Sequence, residues 1–323
     1  MTFSRFVSSP RPTALSLNTS CFTGLQRRLA AALALMALTL LSSLPALALT
    51  VTDARGSFTI DYMPQRVVAL ENSFVDALAA VRVSPVGVAD DNQPERLLPE
   101  VREATGPWQS VGTRSQPSLE MIAALKPDLI IADTSRHAGV YNELRKIAPT
   151  LMLQSRRETY EDNLKSAAII GEVVGKKAEM QARLQQHQAL MASYARQLPQ
   201  GKVVQFAVAR ENTLYLHTPD SYAGGVIQSL GLKVPSVSAT DQQESRQISL
   251  EQMLAINPDY LVVGTYAGNS IVQQWQTEPL WQALTAVQNN HVYTVDGNAW
   301  VRSLGILAAE HMGADLVRIF TQP

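Results

Sequence analysis

An internal repeat constrains this chain more than any other feature. Residues 111 to 133 read VGTRSQPSLEMIAALKPDLIIAD, and residues 248 to 264 read ISLEQMLAINPDYLVVG. Each copy runs from a Ser-Leu-Glu triplet, beginning at Ser118 and Ser249, to a Pro-Asp pair, Pro127-Asp128 and Pro258-Asp259, and on into an apolar run. The spacing from serine to aspartate is the same in both. A serine before Leu-Glu can cap a helix, whose apolar face is Leu119, Ile122 and Leu125 in one copy and Leu250, Met253 and Ile256 in the other. A residue before proline is driven out of the helical region, so Lys126 and Asn257 end those helices. The runs Leu129-Ile130-Ile131 and Leu261-Val262-Val263 then read as parallel strands covered on both faces. A helix-to-strand unit used twice predicts an α/β fold of two lobes with mostly parallel sheets.

Between the copies, Tyr160 to Leu198 carries apolar residues at threes and fours without a proline, as one long helix or two in tandem hinged near Gly175. This gives an N-terminal lobe over 49–160, a connecting long α-helix over 161–198 and a C-terminal lobe over 199–323. Around Gly56 a short hairpin or edge strand is expected. In the first lobe, Arg66 to Leu70 reads as a strand, Asn72 or Ser73 as a helix cap, and Thr150 to Leu153 as a further strand. In the second, the strands are Val203 to Val208, a stretch near Val234, the repeat and His291 to Val295, with helices over Tyr222 to Leu230, Leu280 to Val287 and Ile306 to Phe320.

Residues 1–48 are set apart. Arg27 and Arg28 precede an apolar run from Leu29 to Leu41, followed by Pro45 and Ala46-Leu47-Ala48, the layout of a cleavable signal peptide. Cys21, the only cysteine, lies before the run rather than at the cut, so a soluble exported product without a lipid anchor or disulfide is expected. The whole chain has 27 basic and 28 acidic side chains, and the leader removes four arginines and no acid. The acidic remainder argues against nucleic acid as a partner.

In open parallel sheets, ligands bind beyond the carboxyl ends of the strands. Here those positions hold arginines: Arg136, Arg156 with Arg157, Arg210 and Arg302, with Arg114 in the loop ahead of the first repeat helix. Guanidinium groups grip carboxylate or phosphate bidentately and stay charged when partly desolvated, so the expected ligand is a polycarboxylate or similar anion. Tyr222, Tyr266 and Trp300 could wall the crevice. His137 is the only histidine beside an expected strand end. The others, at 187, 217, 291 and 311, share no ligand spacing, which argues against direct metal coordination. No nucleophile elbow, HExxH or dinucleotide fingerprint is present. An exported α/β enzyme acting on an anionic carboxylate substrate remains the alternative.

The stretches RVVALENSFVDALAAV, VGVADDN, VGTRSQPSLE, ADTSRHAGVY and VDGNAWVRSLGILAAE resemble the solute-binding proteins of ABC importers for iron chelates and cobalamin. The resemblance covers essentially all of the chain after the leader and implies two lobes joined by a long helix. It implies a periplasmic monomer without cofactor or enzymatic activity, which takes iron(III) citrate into its cleft and delivers it to an inner-membrane ABC permease. Arg114 would contact the chelate, with citrate oxygens holding the iron; the strand-end reading adds Arg136, His137, Arg156, Arg210, Tyr222, Tyr266, Trp300 and Arg302 to the expected site. The resemblance further implies one permease-docking acid per lobe, at Asp76 and Asp220. Each of these also reads as a first-turn acid stabilised by its helix N-terminus.

Overall fold

The computed structural model describes residues 48–236, 244–266 and 268–321; the expected signal peptide lies outside them apart from Ala48. Two strands, β1 (Leu49–Asp53) and β2 (Gly56–Ile60), form the antiparallel hairpin expected around Gly56. It protects a sheet edge: Asp53 Oδ2 accepts the Met152 N–H at 3.0 Å, and Ala54 N donates to Met152 O at 2.9 Å.

The first lobe is a five-stranded parallel sheet of β3 (Val67–Ala69), β4 (Gly87–Val88), β5 (Gln109–Ser110), β6 (Leu129–Asp133) and β7 (Thr150–Leu153), in the order β5-β4-β3-β6-β7. Its helices are α1 (Asn72–Ala80), α2 (Pro99–Thr105), α3 (Leu119–Ala124) and α4 (Tyr141–Ile147). The N-cap of α1 is Glu71 rather than Asn72 or Ser73.

Two helices follow instead of one uninterrupted rod. Helix α5 (Tyr160–Val173) and helix α6 (Lys177–Ala195) are divided at Gly175, whose φ of +69° is where a glycine is least strained. The chain doubles back there, since Tyr160 OH at the start of α5 reaches His187 Nε2 in the middle of α6. Gly171 permits the close approach: any Cβ on it would collide with Met180.

The second lobe contains β8 (Val204–Ala209), β9 (Leu214–His217), α7 (Tyr222–Ser229), β10 (Ser245–Ile248), α8 (Leu250–Ile256), β11 (Tyr260–Thr265) and α9 (Ile271–Trp275). It continues through α10 (Pro279–Gln282), α11 (Thr285–Gln288), β12 (Val292–Asp296), a π-turn at Asn298–Arg302 and α12 (Ile306–Thr321). The sheet order is β10-β9-β8-β11-β12. Strands β8, β11 and β12 are parallel, whereas β9 and β10 pair antiparallel, a meander that the sequence pattern does not suggest. Near Val234 the described residues form only a single bridge, Lys233 to Val203.

The repeat plays the same part in both lobes, and of its two copies only the second closes a full capping box among the described residues. Ser118 Oγ accepts the Met121 N–H, and Ser249 Oγ accepts that of Gln252, whose side chain returns to Ser249 N at 3.0 Å. Lys126 and Asn257 both end their helices in the left-handed region, at φ +47° and +44°. The repeated aspartates then act as clips. Asp128 accepts from Gln65 N and Arg66 N at 2.7 and 2.8 Å, and Asp259 accepts from Val203 N at 2.9 Å, so each pins the start of the central strand beside it.

One apolar cluster runs through both lobes, from Phe74 and Leu78 on α1, through Ile170 on α5, to Ile227 on α7 and Met312 on α12. Any large separation of the lobes would expose it to water. No described helix is long and apolar enough to cross a membrane.

Candidate functional site

The strand ends of both lobes converge on a cleft of about 360 Å³. Among the described residues six arginines line it, namely Arg114, Arg136, Arg156, Arg157, Arg210 and Arg302, against Glu71, Glu158 and Glu244. All six arginines named at strand ends or in the repeat loop are there, Arg157 included.

Arg114 is held by Asp91. Its guanidinium donates to Asp91 Oδ2 through Nε at 3.1 Å and Nη2 at 2.8 Å, and its backbone N–H reaches Asp91 Oδ1 at 3.0 Å. Arg302 Nη1 lies 3.4 Å from the same carboxylate and Arg96 Nη1 3.8 Å from it. Burial alone would raise the Asp91 pKa, but these hydrogen bonds and positive charges hold it below its usual range. Asp91 and Asn92 adopt left-handed φ values of +60° and +55°, which turns the carboxylate toward Arg114.

A second carboxylate organises Arg136 and Arg156. Asp133, fully buried at the end of β6, accepts from Ser135 N, Ser135 Oγ and Arg136 N through Oδ1. Its Oδ2 accepts from Ser155 N and Arg156 N at 3.1 and 3.2 Å, so a single side chain fixes the loops after β6 and β7. Burial, and then the neighbouring Arg136 and Arg157, lower the Arg156 pKa, as expected where cations crowd with too few anions.

His137 corrects an expectation. It is wholly buried and is not among the residues lining the cleft. Its Nδ1 accepts the Asp133 N–H at 2.8 Å while Nε2–H donates to the Arg114 carbonyl at 2.8 Å, tying the Arg114 loop to the Arg136 loop. Burial lowers its pKa, in keeping with a neutral ring having one donor and one acceptor nitrogen.

The aromatic candidates divide. Tyr266 walls the cleft with the Arg302 guanidinium 4.9 Å over its ring. Tyr222 and Trp300 border the cleft but are packed away: Tyr222 OH donates to Gly305 O at 2.5 Å, and Trp300 Nε1 donates to Asp315 Oδ2 at 2.9 Å. The β9 strand adds Tyr215, under Arg210 at 5.5 Å, and His217, whose pKa burial pushes down to about 4. Neither is marked by the sequence pattern, which gives β9 no strand signal.

Asp76 is also corrected. It sits in the second turn of α1, is 1% exposed, and accepts from Leu307 N and Ala308 N of α12, so it has no surface to offer a partner. Asp220 is exposed, just ahead of the Ser221 N-cap of α7 rather than inside its first turn. Among the described residues no three His, Cys, Asp or Glu side chains are grouped as a metal ion would need.

The fold and cleft define a two-lobed α/β protein with an arginine-lined cleft between its lobes. The chain belongs to the periplasmic binding protein family, whose model matches residues 67–299. It is 59% identical over 275 residues to the Fe(3+) dicitrate-binding periplasmic protein FecB of Escherichia coli (strain K12), covering 85% of this chain and 91% of that protein. It is 39% identical to the Fe(3+)-citrate-binding protein YfmC of Bacillus subtilis (strain 168), covering 82% and 84%. Among solved structures, Staphylococcus aureus SirA complexed with staphyloferrin B matches with a TM-score of 0.72 at 24% identity, covering 84% of this chain and 98% of that one. These relatives are solute-binding proteins, and the alternative of an exported enzyme finds no support among them.

Proposed function

We propose that this protein captures ferric citrate in the inter-lobe cleft and delivers it to an inner-membrane ABC importer. The observation that carries the reading is the arginine cluster with Arg114 already fixed by Asp91. Carboxylates of the chelate face the guanidinium groups, and citrate oxygens satisfy the iron, for which the described residues supply no ligand cluster. The two citrate-binding relatives support this choice over other anions. Titration of the purified protein with ferric citrate, followed by calorimetry, is expected to saturate, and Arg114→Ala to weaken binding at least tenfold, on the order of one or two lost charge-assisted hydrogen bonds. Absence of binding, together with tight binding of a hydroxamate chelate or cobalamin, would overturn the assignment.

The protein acts as a periplasmic monomer exported by residues 1–48. In support, β1 begins at Leu49, directly after the expected cut. For the permease contact, one acid on each lobe is needed. With Asp76 buried, the repeat itself supplies a matched pair: Glu120 and Glu251 occupy the same place in the first turns of α3 and α8, and both are exposed. Asp220 has no counterpart on the first lobe. Replacing Glu120 and Glu251 together by alanine is expected to leave ferric citrate affinity unchanged and to reduce iron uptake in cells; unaltered uptake would reject this surface.

A further inference from the structure

Glu71 is an acid of the cleft whose side chain its own helix does not use. It stands at the N-cap of α1, where a carboxylate ordinarily accepts the free helix N–H groups, yet its side chain makes no capping hydrogen bond. The carboxylate turns instead into the arginine cluster. Its Oε1 lies 2.5 Å from Arg136 Nε and its Oε2 3.7 Å from Arg114 Nη1, although it is only 2% exposed. The contact with Arg136 is close but misaligned: neither Glu71 Oε1 nor Arg136 Nε has an oriented hydrogen-bond partner. A group held for architecture would have its donors and acceptors satisfied. This arrangement is an ion pair that can be given up.

We propose that Glu71 is a specificity-determining counter-ion that neutralises Arg114 and Arg136 in the free cleft and takes up a proton from solvent when an anionic chelate lands on them. This rests on the ferric citrate reading and specifies how that site is regulated. The charges facing Glu71 come from four segments: Arg114 before α3, Arg136 and Asp133 at the end of β6, Arg156 after β7, and Asp91 after β4. Burial is the main influence and raises its pKa to about 7, against the pull of Arg136 and Arg114. A negative ligand bound to the same two arginines removes that pull and adds repulsion, so the carboxylate becomes COOH and the arginines turn wholly to the ligand. Unit charges a few ångströms apart in a partly wet cleft shift such a group by about one to two pH units. Chelates with more negative charge drive the uptake further, so the cleft discriminates by charge as well as by shape.

The test compares wild type with Glu71→Gln, which keeps shape and removes the titration. Ferric citrate changes protonation with pH for both proteins alike, so the ratio of their dissociation constants isolates Glu71. At pH 5, where Glu71 is already protonated in the free protein, the two are expected to bind within about twofold; at pH 8, Glu71→Gln is expected to bind about tenfold tighter. Calorimetry at pH 8 in buffers of different ionisation enthalpy should show wild type taking up more protons than Glu71→Gln, by roughly half a proton or more. Equal ratios at both pH values with equal proton uptake would overturn the proposal while leaving ferric citrate binding intact. Were wild type to bind no ferric citrate, the functional reading would fail. The unliganded proteins would still decide whether Glu71 is poised, because wild type should lose stability relative to Glu71→Gln from pH 5 to 8, and parallel curves refute it. Should Glu71→Gln not fold, proton counting on wild type alone, corrected for ferric citrate itself, reads the same uptake.

Discussion

Asp76, on the second turn of a helix in the first lobe, accepts the backbone N–H of Leu307 at 3.1 Å and so caps the last helix of the opposite lobe. Ala308 N donates to the other oxygen at 3.0 Å, and Gly305 leaves room for the carboxylate, since a Cβ there would collide with it. Asp76→Ala would orphan two helix N–H groups, that of Ala308 buried and that of Leu307 partly so. The expected cost is about 2–3 kcal/mol in urea unfolding, at the upper end for a helix cap because the site is buried. A loss under about 0.5 kcal/mol would show that the cap is redundant.

The acid response of the fold is expected to depend on His217. Burial pushes its pKa down to about 4, from an ordinary value near 6.5. The folded protein therefore keeps His217 neutral over a range in which the unfolded chain protonates it. Stability from this residue is present above about pH 6.5 and is lost as pH falls toward 4. Relative to wild type, His217→Gln should gain about 2–3 kcal/mol between pH 7.5 and 4.5. Urea unfolding at the two pH values measures the difference.

Lys126 is the left-handed helix stop of the first repeat, at φ +47°, and a side chain with a Cβ is strained there. Lys126→Gly should raise stability by about 0.5–1 kcal/mol, as reversal of a Gly-to-Ala change at positive φ. Thermal unfolding would show a higher midpoint.

His137→Phe keeps most of the buried volume but removes both hydrogen bonds that tie the Arg114 loop to Asp133. It should weaken ferric citrate binding about tenfold although His137 does not line the cleft, and cost about 2 kcal/mol of stability. Unchanged affinity would mean that Asp91 alone positions Arg114.

The lobes and the arginines are legible in the sequence because both rest on local pattern. Pro127 and Pro258 punctuate the repeat, and the rule that ligands sit at strand carboxyl ends selects Arg136, Arg156, Arg210 and Arg302. What stays hidden depends on partners distant in the chain. Asp76 reads as a surface acid until Leu307 and Ala308 come to it from the far end of the chain. Glu71 and Asp91 look like loop acids until Arg136 and Arg114 fold against them. Strand β9 escapes notice because Leu214–His217 is four residues long and follows directly from the tight turn Arg210–Thr213, too short for its period to register.

The antiparallel meander of the second lobe gives the two sides of the cleft unequal freedom to evolve. On the first side, Asp133, His137 and Asp91 interlock the loops that carry Arg114, Arg136 and Arg156, so altering one loop disturbs its neighbours. On the second, Arg210 and Tyr215 come from the turn and the second strand of a hairpin whose turn and edge can change without rerouting a helical crossover. Descendants of such a protein could acquire new chelates by redrafting one wall while the anion grip of the other is inherited intact.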